Sequence, residues 1–228
     1  MTAITVSRQL GSLGDRIAER VAEVLGYEHV DRRLVEEIAS ITDTSPEEVE
    51  KYDEKGEGRV RHFLKRLLVP EMSPGGFPLS SAAYFPEFGL EFPYVMERSG
   101  AEGATYLDRG TYQLLITTLV QDYGLTGKAV IVGRASQVIL AGVAGAFHVK
   151  VIAPMELRCE RVQQSRQVTA DQARELVEQH DRWRTLYLKN YHGADWDDLL
   201  LYHVTINTGK MTVEDAVDLI VRYASTRS

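Results

Sequence analysis

Apolar positions along the chain change period several times, and each change marks an element. Ile4-Thr5-Val6 is a β-branched run that predicts a short buried strand. It leads into Ser7-Arg8-Gln9-Leu10-Gly11-Ser12-Leu13-Gly14, a turn rich in glycine and serine. Ile17, Val21, Val24 and Leu25 then share one face at helical spacing, which predicts a helix over 15–25 with Gly26 as its C-terminal cap. His29-Val30-Asp31 reads as extended, and Leu34, Val35 and Ile38 mark a second helix starting near Asp31.

The second half repeats this alternation. Leu107, Leu114, Leu115 and Leu119 predict a long helix over 105–123, and residues 128–132 form an almost wholly apolar strand closed by Gly133-Arg134. A short helix over 136–141, a strand over 147–153 and a helix from Pro154 to Gln164 follow. Thr169, with Asp171 in the first turn, opens a helix running to about Tyr191; the last strand covers 201–206 and the last helix 213–223. Strands alternating with helices predict an α/β fold, a parallel sheet with helices on both faces. In such sheets ligands sit at the carboxyl ends of the strands, where the 7–14 loop, Gly133-Arg134 and the turn at Pro154 fall.

The middle of the chain departs from this pattern. Ser45-Pro46-Glu47-Glu48 predicts an acidic helix ending near Lys55-Gly56, and residues 59–69 predict a basic amphipathic one. Residues 70–103 read as irregular: five of the seven prolines lie there with Phe77, Tyr84, Phe85, Phe88, Phe92 and Tyr94. The expectation is a single domain over 1–228 with residues 43–104 inserted. The aromatic segment would cover a substrate or form a homodimer contact.

Composition narrows the function. An apolar fraction of 44% over 228 residues supports a full core. A net charge of −7 argues against a nucleic-acid partner, because phosphate-backbone binders carry a basic face. No apolar run approaches the ~20 residues of a membrane span, and the chain enters its first strand without a signal-like segment. With Cys159 as the one cysteine, a disulfide framework is ruled out; a cytoplasmic location is expected. His62, His148, His180, His192 and His203 lack metal-ligand spacing, and Asp195, Asp197 and Asp198 around Trp196 read as a solvated acidic turn.

The candidate chemistry lies in the first loop. Strand, glycine loop and helix together make a phosphate cradle, where backbone N–H groups and a helix N-terminus converge on an anion. The P-loop pattern G-x-x-x-x-G-K-[ST] requires Lys and Ser/Thr after the second Gly. Here Gly14 is followed by Asp15 and Arg16.

Taken together, several stretches resemble the cytidylate kinase-like family, a branch of the P-loop nucleoside monophosphate kinases. They are Ile4 through Ala18, Tyr27-Glu28-His29-Val30-Asp31-Arg32, Val130-Ile131-Val132-Gly133-Arg134 and Tyr202-His203-Val204-Thr205-Ile206-Asn207-Thr208. The resemblance implies a P-loop kinase-type sheet and phosphoryl transfer from ATP, with Mg2+, to a nucleoside monophosphate such as CMP. It implies that Gly11, Ser12, Leu13, Gly14, Asp15 and Arg16 form the ATP cradle. Arg8 or Arg16 would supply the charge of the missing lysine, and Asp15 would hold magnesium or else repel the phosphate. It implies further that Arg134 binds the acceptor, that Arg158 and Arg161 are lid arginines, and that Asp181 and Arg184 contact acceptor ribose and phosphate. Ala135 stands where relatives carry Asp, and Val177 where they carry Arg. Two other readings stay open: a non-catalytic nucleotide-binding or regulatory protein with a degenerate P-loop, and a P-loop kinase for a non-nucleotide metabolite.

Overall fold

A computed structural model describes residues 3–42, 45–46, 82–85, 90–93 and 109–226. In chain order the elements are β1 (Ala3–Arg8), α1 (Gly14–Leu25), β2 (Glu28–Val30), α2 (Arg32–Thr42), β3 (Ala82–Phe85) and β4 (Leu90–Pro93). After them come α3 (Arg109–Thr126), β5 (Ala129–Val132), α4 (Ser136–Ile139), β6 (Phe147–Ile152), α5 (Met155–Arg166), α6 (Ala170–His192), β7 (Val204–Asn207) and α7 (Val213–Ser225).

Five strands form one sheet in the order β2-β5-β1-β6-β7, with all neighbours parallel. β1 is central: Ile4 pairs with Val130 of β5 on one side and with Phe147 of β6 on the other. The chain therefore crosses from one half of the sheet to the other beside β1, and a crevice opens at its carboxyl end, where the 9–13 turn emerges.

Alternation along the strands fills two cores. Ile4, Val6, Val130, Val132, Val149, Val151 and Ile206 face Ile17, Ala18 and Val21 of α1 and Val213, Val217 and Ile220 of α7. Ala3, Ala129, Ile131 and Val30 face Leu34 and Ile38 of α2 and Tyr112, Ile116 and Val120 of α3. Each fully buried Ile or Val contributes roughly 1.5–3 kcal/mol, so the two layers fix the sheet and with it the loops at its carboxyl edge.

Helix ends follow local chemistry. Gly26 caps α1 in the left-handed conformation at φ 62°, its amide donating to Ala22 and Glu23 carbonyls. Thr169 and Gln172 form a reciprocal capping box at the start of α6, and the Thr212 hydroxyl accepts the Asp215 amide at the start of α7.

Two expectations are corrected. Within residues 70–103, read from sequence as irregular, Ala82–Phe85 and Leu90–Pro93 pair as a two-stranded antiparallel hairpin. The prolines masked this, although Pro93 at a strand end costs no ladder bond. Leu199–Leu201 is a turn of 3₁₀ helix, so the last strand begins at Val204 rather than at Leu201. Asp198 causes this by accepting the Leu200 amide at 2.9 Å. The helices expected beyond Ser45, and most of the expected 43–104 insertion, lie outside the described residues. None of the helices among the described residues is long and apolar enough to cross a membrane.

Candidate active site

The turn between β1 and α1 is built by close approach. Gly11 sits at φ 78°, and a Cβ there would meet the Arg158 carbonyl oxygen at 2.6 Å. Gly14 opens α1, and a Cβ on it would lie 2.4 Å from the Arg8 Cβ. Both glycines are therefore required by contact, and Gly11 by backbone conformation as well. Leu13 takes the left-handed conformation at φ 65° directly before the helix. The Ser12 hydroxyl donates to the Gln9 carbonyl at 2.8 Å and accepts the Gly14 amide at 3.3 Å, which closes the turn internally.

The outer carbonyls of the turn are held from behind. Arg161 of α5 donates to the Gly11 carbonyl at 3.1 Å and to both the hydroxyl and the carbonyl of Thr208, at 2.9 and 3.1 Å. Thr208 donates its hydroxyl to the Ser12 carbonyl at 2.8 Å. The carbonyls of Gly11 and Ser12, the ones Asp15 and Arg16 would bond in a continuing helix, are thus engaged elsewhere. The Gly14 amide is taken by Ser12 Oγ, whereas the amides of Asp15 and Arg16 are left without those carbonyls, as in an anion cradle.

Charge gathers on the crevice side. Arg8, with its side chain 12% exposed, donates Nε to Asp15 Oδ1 at 2.7 Å. Loss of water around Asp15 opposes its charge, but Arg8, with Arg184 and His29, outweighs that and lowers the carboxyl below its usual range. On the other side Arg158, 4% exposed, donates Nη1 to Asp181 Oδ2 at 2.7 Å. Burial raises Asp181 above the ordinary carboxylate value against the pull of Arg158 and Arg184. Arg184 acts on both Asp15 and Asp181, and so joins the two pairs electrostatically. Arg158 Nε and Asp181 Oδ1 are buried without a protein partner among the described residues. Such atoms are sites that a ligand or water would satisfy.

Arg134 and Ala135 follow β5 in left-handed conformations, at φ 56° and 53°. Arg134 is buried and donates to the Tyr112 hydroxyl of α3 at 2.7 Å. Ala135 belongs to a buried apolar cluster with Tyr187, Leu188 and Trp196, so the residue after Arg134 lies in an apolar wall. Ser136 Oγ next to it is buried and without a partner among the described residues.

The structure brings Arg8, Asp15, Arg158, Asp181 and Arg184 into one electrostatic cluster beside Gly11, Ser12, Leu13 and Gly14. Arg134 lies at the carboxyl end of the neighbouring strand, fixed by Tyr112. Arg161 does not share the environment of Arg158: its guanidinium is committed to loop carbonyls and Thr208. Arg16 is exposed on α1. Sequence reasoning missed Thr208, Tyr112 and Trp196. The first sits in the Asn207-Thr208 stretch already singled out for its resemblance; the other two look like ordinary core aromatics. Of the acidic turn, Asp198 caps a helix while Asp197 bonds the buried Lys150 at 2.8 Å. Among the described residues no group of three or more His, Cys, Asp or Glu could hold a metal ion by itself.

Comparison with known proteins bears on the family and the fold. A family model described as the cytidylate kinase-like family matches residues 3–210. An uncharacterized protein from Eubacterium ventriosum has a similar structure, with a TM-score of 0.64 at 17% identity over 100% of both chains. A shikimate kinase from Acinetobacter baumannii, solved with shikimate, aligns with a TM-score of 0.48 at 13% identity over 99% of this chain and 94% of its own. A uronate isomerase from Corynebacterium glutamicum is 38% identical over 97 residues, 40% of this chain; the match spans only 18% of that relative's length. With its parallel sheet, helices on both faces and glycine turn after the central strand, the chain has the P-loop kinase fold and belongs to the cytidylate kinase-like family.

Proposed function

We propose that this kinase-family chain transfers the γ-phosphoryl group of ATP to a nucleoside monophosphate such as CMP. The observation that carries the reading is the cluster of Arg8, Arg158 and Arg184 around the glycine turn, with Asp15 and Asp181 between them. Phosphoryl transfer needs little covalent help from a protein; it needs cations fixed where charge spreads over the equatorial oxygens. Amides at the start of α1 would hold the donor phosphates, and Arg8 would supply the positive charge that a lysine after Gly14 otherwise gives. An acceptor phosphate oxygen attacks the γ-phosphorus, the bond to the bridging oxygen breaks, and ADP leaves. Arg134, Arg158 and Arg184 would bind the acceptor phosphate and the transferred group, and Asp181 the ribose hydroxyls.

The residues fit a magnesium ion in one way. Asp15 offers a hard carboxylate oxygen, 64% exposed, at the mouth of the turn. Magnesium is commonly held by one or two carboxylates together with substrate phosphates and water. The ion would neutralise charge on the transferring phosphates, with Asp15 as its protein ligand.

A second reading is favoured by one observation: Ala135, buried against Tyr187, Leu188 and Trp196, has no polar group with which to read a base. A hydroxylated metabolite would then be the acceptor. A coupled ADP-release assay with ATP, Mg2+ and a panel of nucleoside monophosphates separates the two. Release dependent on a monophosphate supports the first reading; release only with a metabolite mixture supports the second. ATP binding with no turnover at all would indicate a non-catalytic nucleotide-binding protein.

A further inference from the structure

Behind the phosphate turn lies a buried polar network that neither pair of subsites uses. Trp196, 2% exposed, donates its indole N–H to Ser7 Oγ at 2.8 Å. Ser7 is the residue of β1 immediately before Arg8, so this bond anchors the strand end from which the turn departs. The Tyr202 hydroxyl lies 3.4 Å from the same oxygen and donates to the Trp196 carbonyl at 3.0 Å. Gln137, three residues past Arg134, reaches the Tyr202 hydroxyl at 3.4 Å. Trp196 and Ala135 also belong to one buried apolar cluster. One side chain therefore bonds the strand end that enters the donor turn and shares a cluster with the residue after Arg134.

Lys150 fixes this side chain in place. It stands on β6 opposite Ser7, is 2% exposed, and donates to the Trp196 carbonyl at 2.7 Å and to Asp197 Oδ1 at 2.8 Å. Its ammonium lies 4.7 Å from the Trp196 ring centroid and 5.2 Å from that of Tyr202. Moving the main chain at 196 would strip a buried cation of its acceptors, which is strongly unfavourable. A buried lysine is an expensive device for filling space; its effect here is to hold the indole N–H on Ser7.

We propose that Trp196, clamped by Lys150, is a positioning residue for the phosphate turn: its indole N–H holds Ser7 so that the turn meets the donor phosphates pre-formed. The inference rests on the kinase reading above. It is tested by calorimetric titration of Mg-ATP into the wild type, Ser7→Ala, Trp196→Phe and the double variant, with thermal melts of each. Each single substitution is expected to raise the Kd about tenfold, and the double to raise it no further, because both remove one bond. Ser7→Ala deletes only a hydroxyl and carries the test should Trp196→Phe fail to fold. Melting temperatures that stay close to the wild type while the Kd rises are expected, a separation that a merely structural tryptophan would not give. Unchanged Kd values, additive effects or Kd losses that appear only with a matching fall in Tm would overturn the inference while leaving the kinase reading intact. A wild type that binds no Mg-ATP would overturn both.

Discussion

Arg8 and Asp15 face each other across the glycine turn, Nε to Oδ1 at 2.7 Å, and Gly14 lies so close beneath Arg8 that no Cβ fits between them. The pair gives the turn both a cation and a carboxylate in a place where the P-loop pattern has a lysine and a hydroxyl. Arg8→Ala is expected to lower phosphoryl transfer at least tenfold, about 1.4 kcal/mol in transition-state terms. Arg8→Lys should not restore it, since a point charge cannot serve Asp15 and a phosphate with the forked geometry of a guanidinium. Steady-state rates of the two variants, with ATP and CMP, check this.

Gly11→Ala should damage the turn and the fold together. The added methyl would meet the Arg158 carbonyl at 2.6 Å, at a residue whose φ is +78°. Strain at such a position costs of the order of 1–3 kcal/mol. A fall of several degrees in Tm and loss of Mg-ATP binding are the expected outcomes, read by thermal melts and calorimetry.

The Arg158–Asp181 pair predicts an asymmetry. Removing Arg158 leaves a mostly buried carboxylate without its main partner, whereas exchanging Asp181 for Asn keeps the shape and a hydrogen-bond acceptor. Arg158→Met is therefore expected to destabilise by roughly 3 kcal/mol, the lower end of the range for broken buried pairs because Asp181 keeps 21% exposure. Asp181→Asn should destabilise less but raise the KM of the acceptor. Denaturant unfolding and acceptor kinetics separate the two effects.

Much of the frame could be read from sequence, because local patterns determine it. Gly26 as the cap of α1, Thr169 as the opening of α6 and the β-branched run of β1 each act within a few residues and stand where expected. The site is different in kind. Ser7 and Trp196 are 189 residues apart, and Arg161 reaches Thr208 across 47. Nothing in the apolar run Phe147–Ile152 marks Lys150 as a cation caged by two rings, since a lysine in such a run reads as a strand end. Only the order of strands, with β1 between β5 and β6, brings these side chains to one edge. Resemblance supplied the arginines and carboxylates of the cluster; their partners depended on the fold.

Acid stability should report a second buried polar cluster. His148 bonds Thr5 Oγ1 at 2.8 Å, and its ring lies 5.0 Å from that of His203. Burial, and then the charge of His203, push its pKa down to about 4. Its proton is therefore bound in the unfolded chain and excluded in the folded one between about 6.5 and 4. Stability contributed by neutral His148 is complete above pH 6.5 and falls as pH drops towards 4, by up to about 3 kcal/mol. Melts of the wild type and His148→Gln across this window check the sign: the variant should show the shallower decline.

In the proposed kinase, arginine charge rather than a lysine lets the glycine turn bind the donor phosphates. Calorimetric titration of Mg-ATP into the wild type and into Arg8→Ala tests it most directly. Saturable binding at one site per chain, weakened at least tenfold in Arg8→Ala while the melt stays close to that of the wild type, is the predicted result. No binding by the wild type, or equal binding by both, would contradict it.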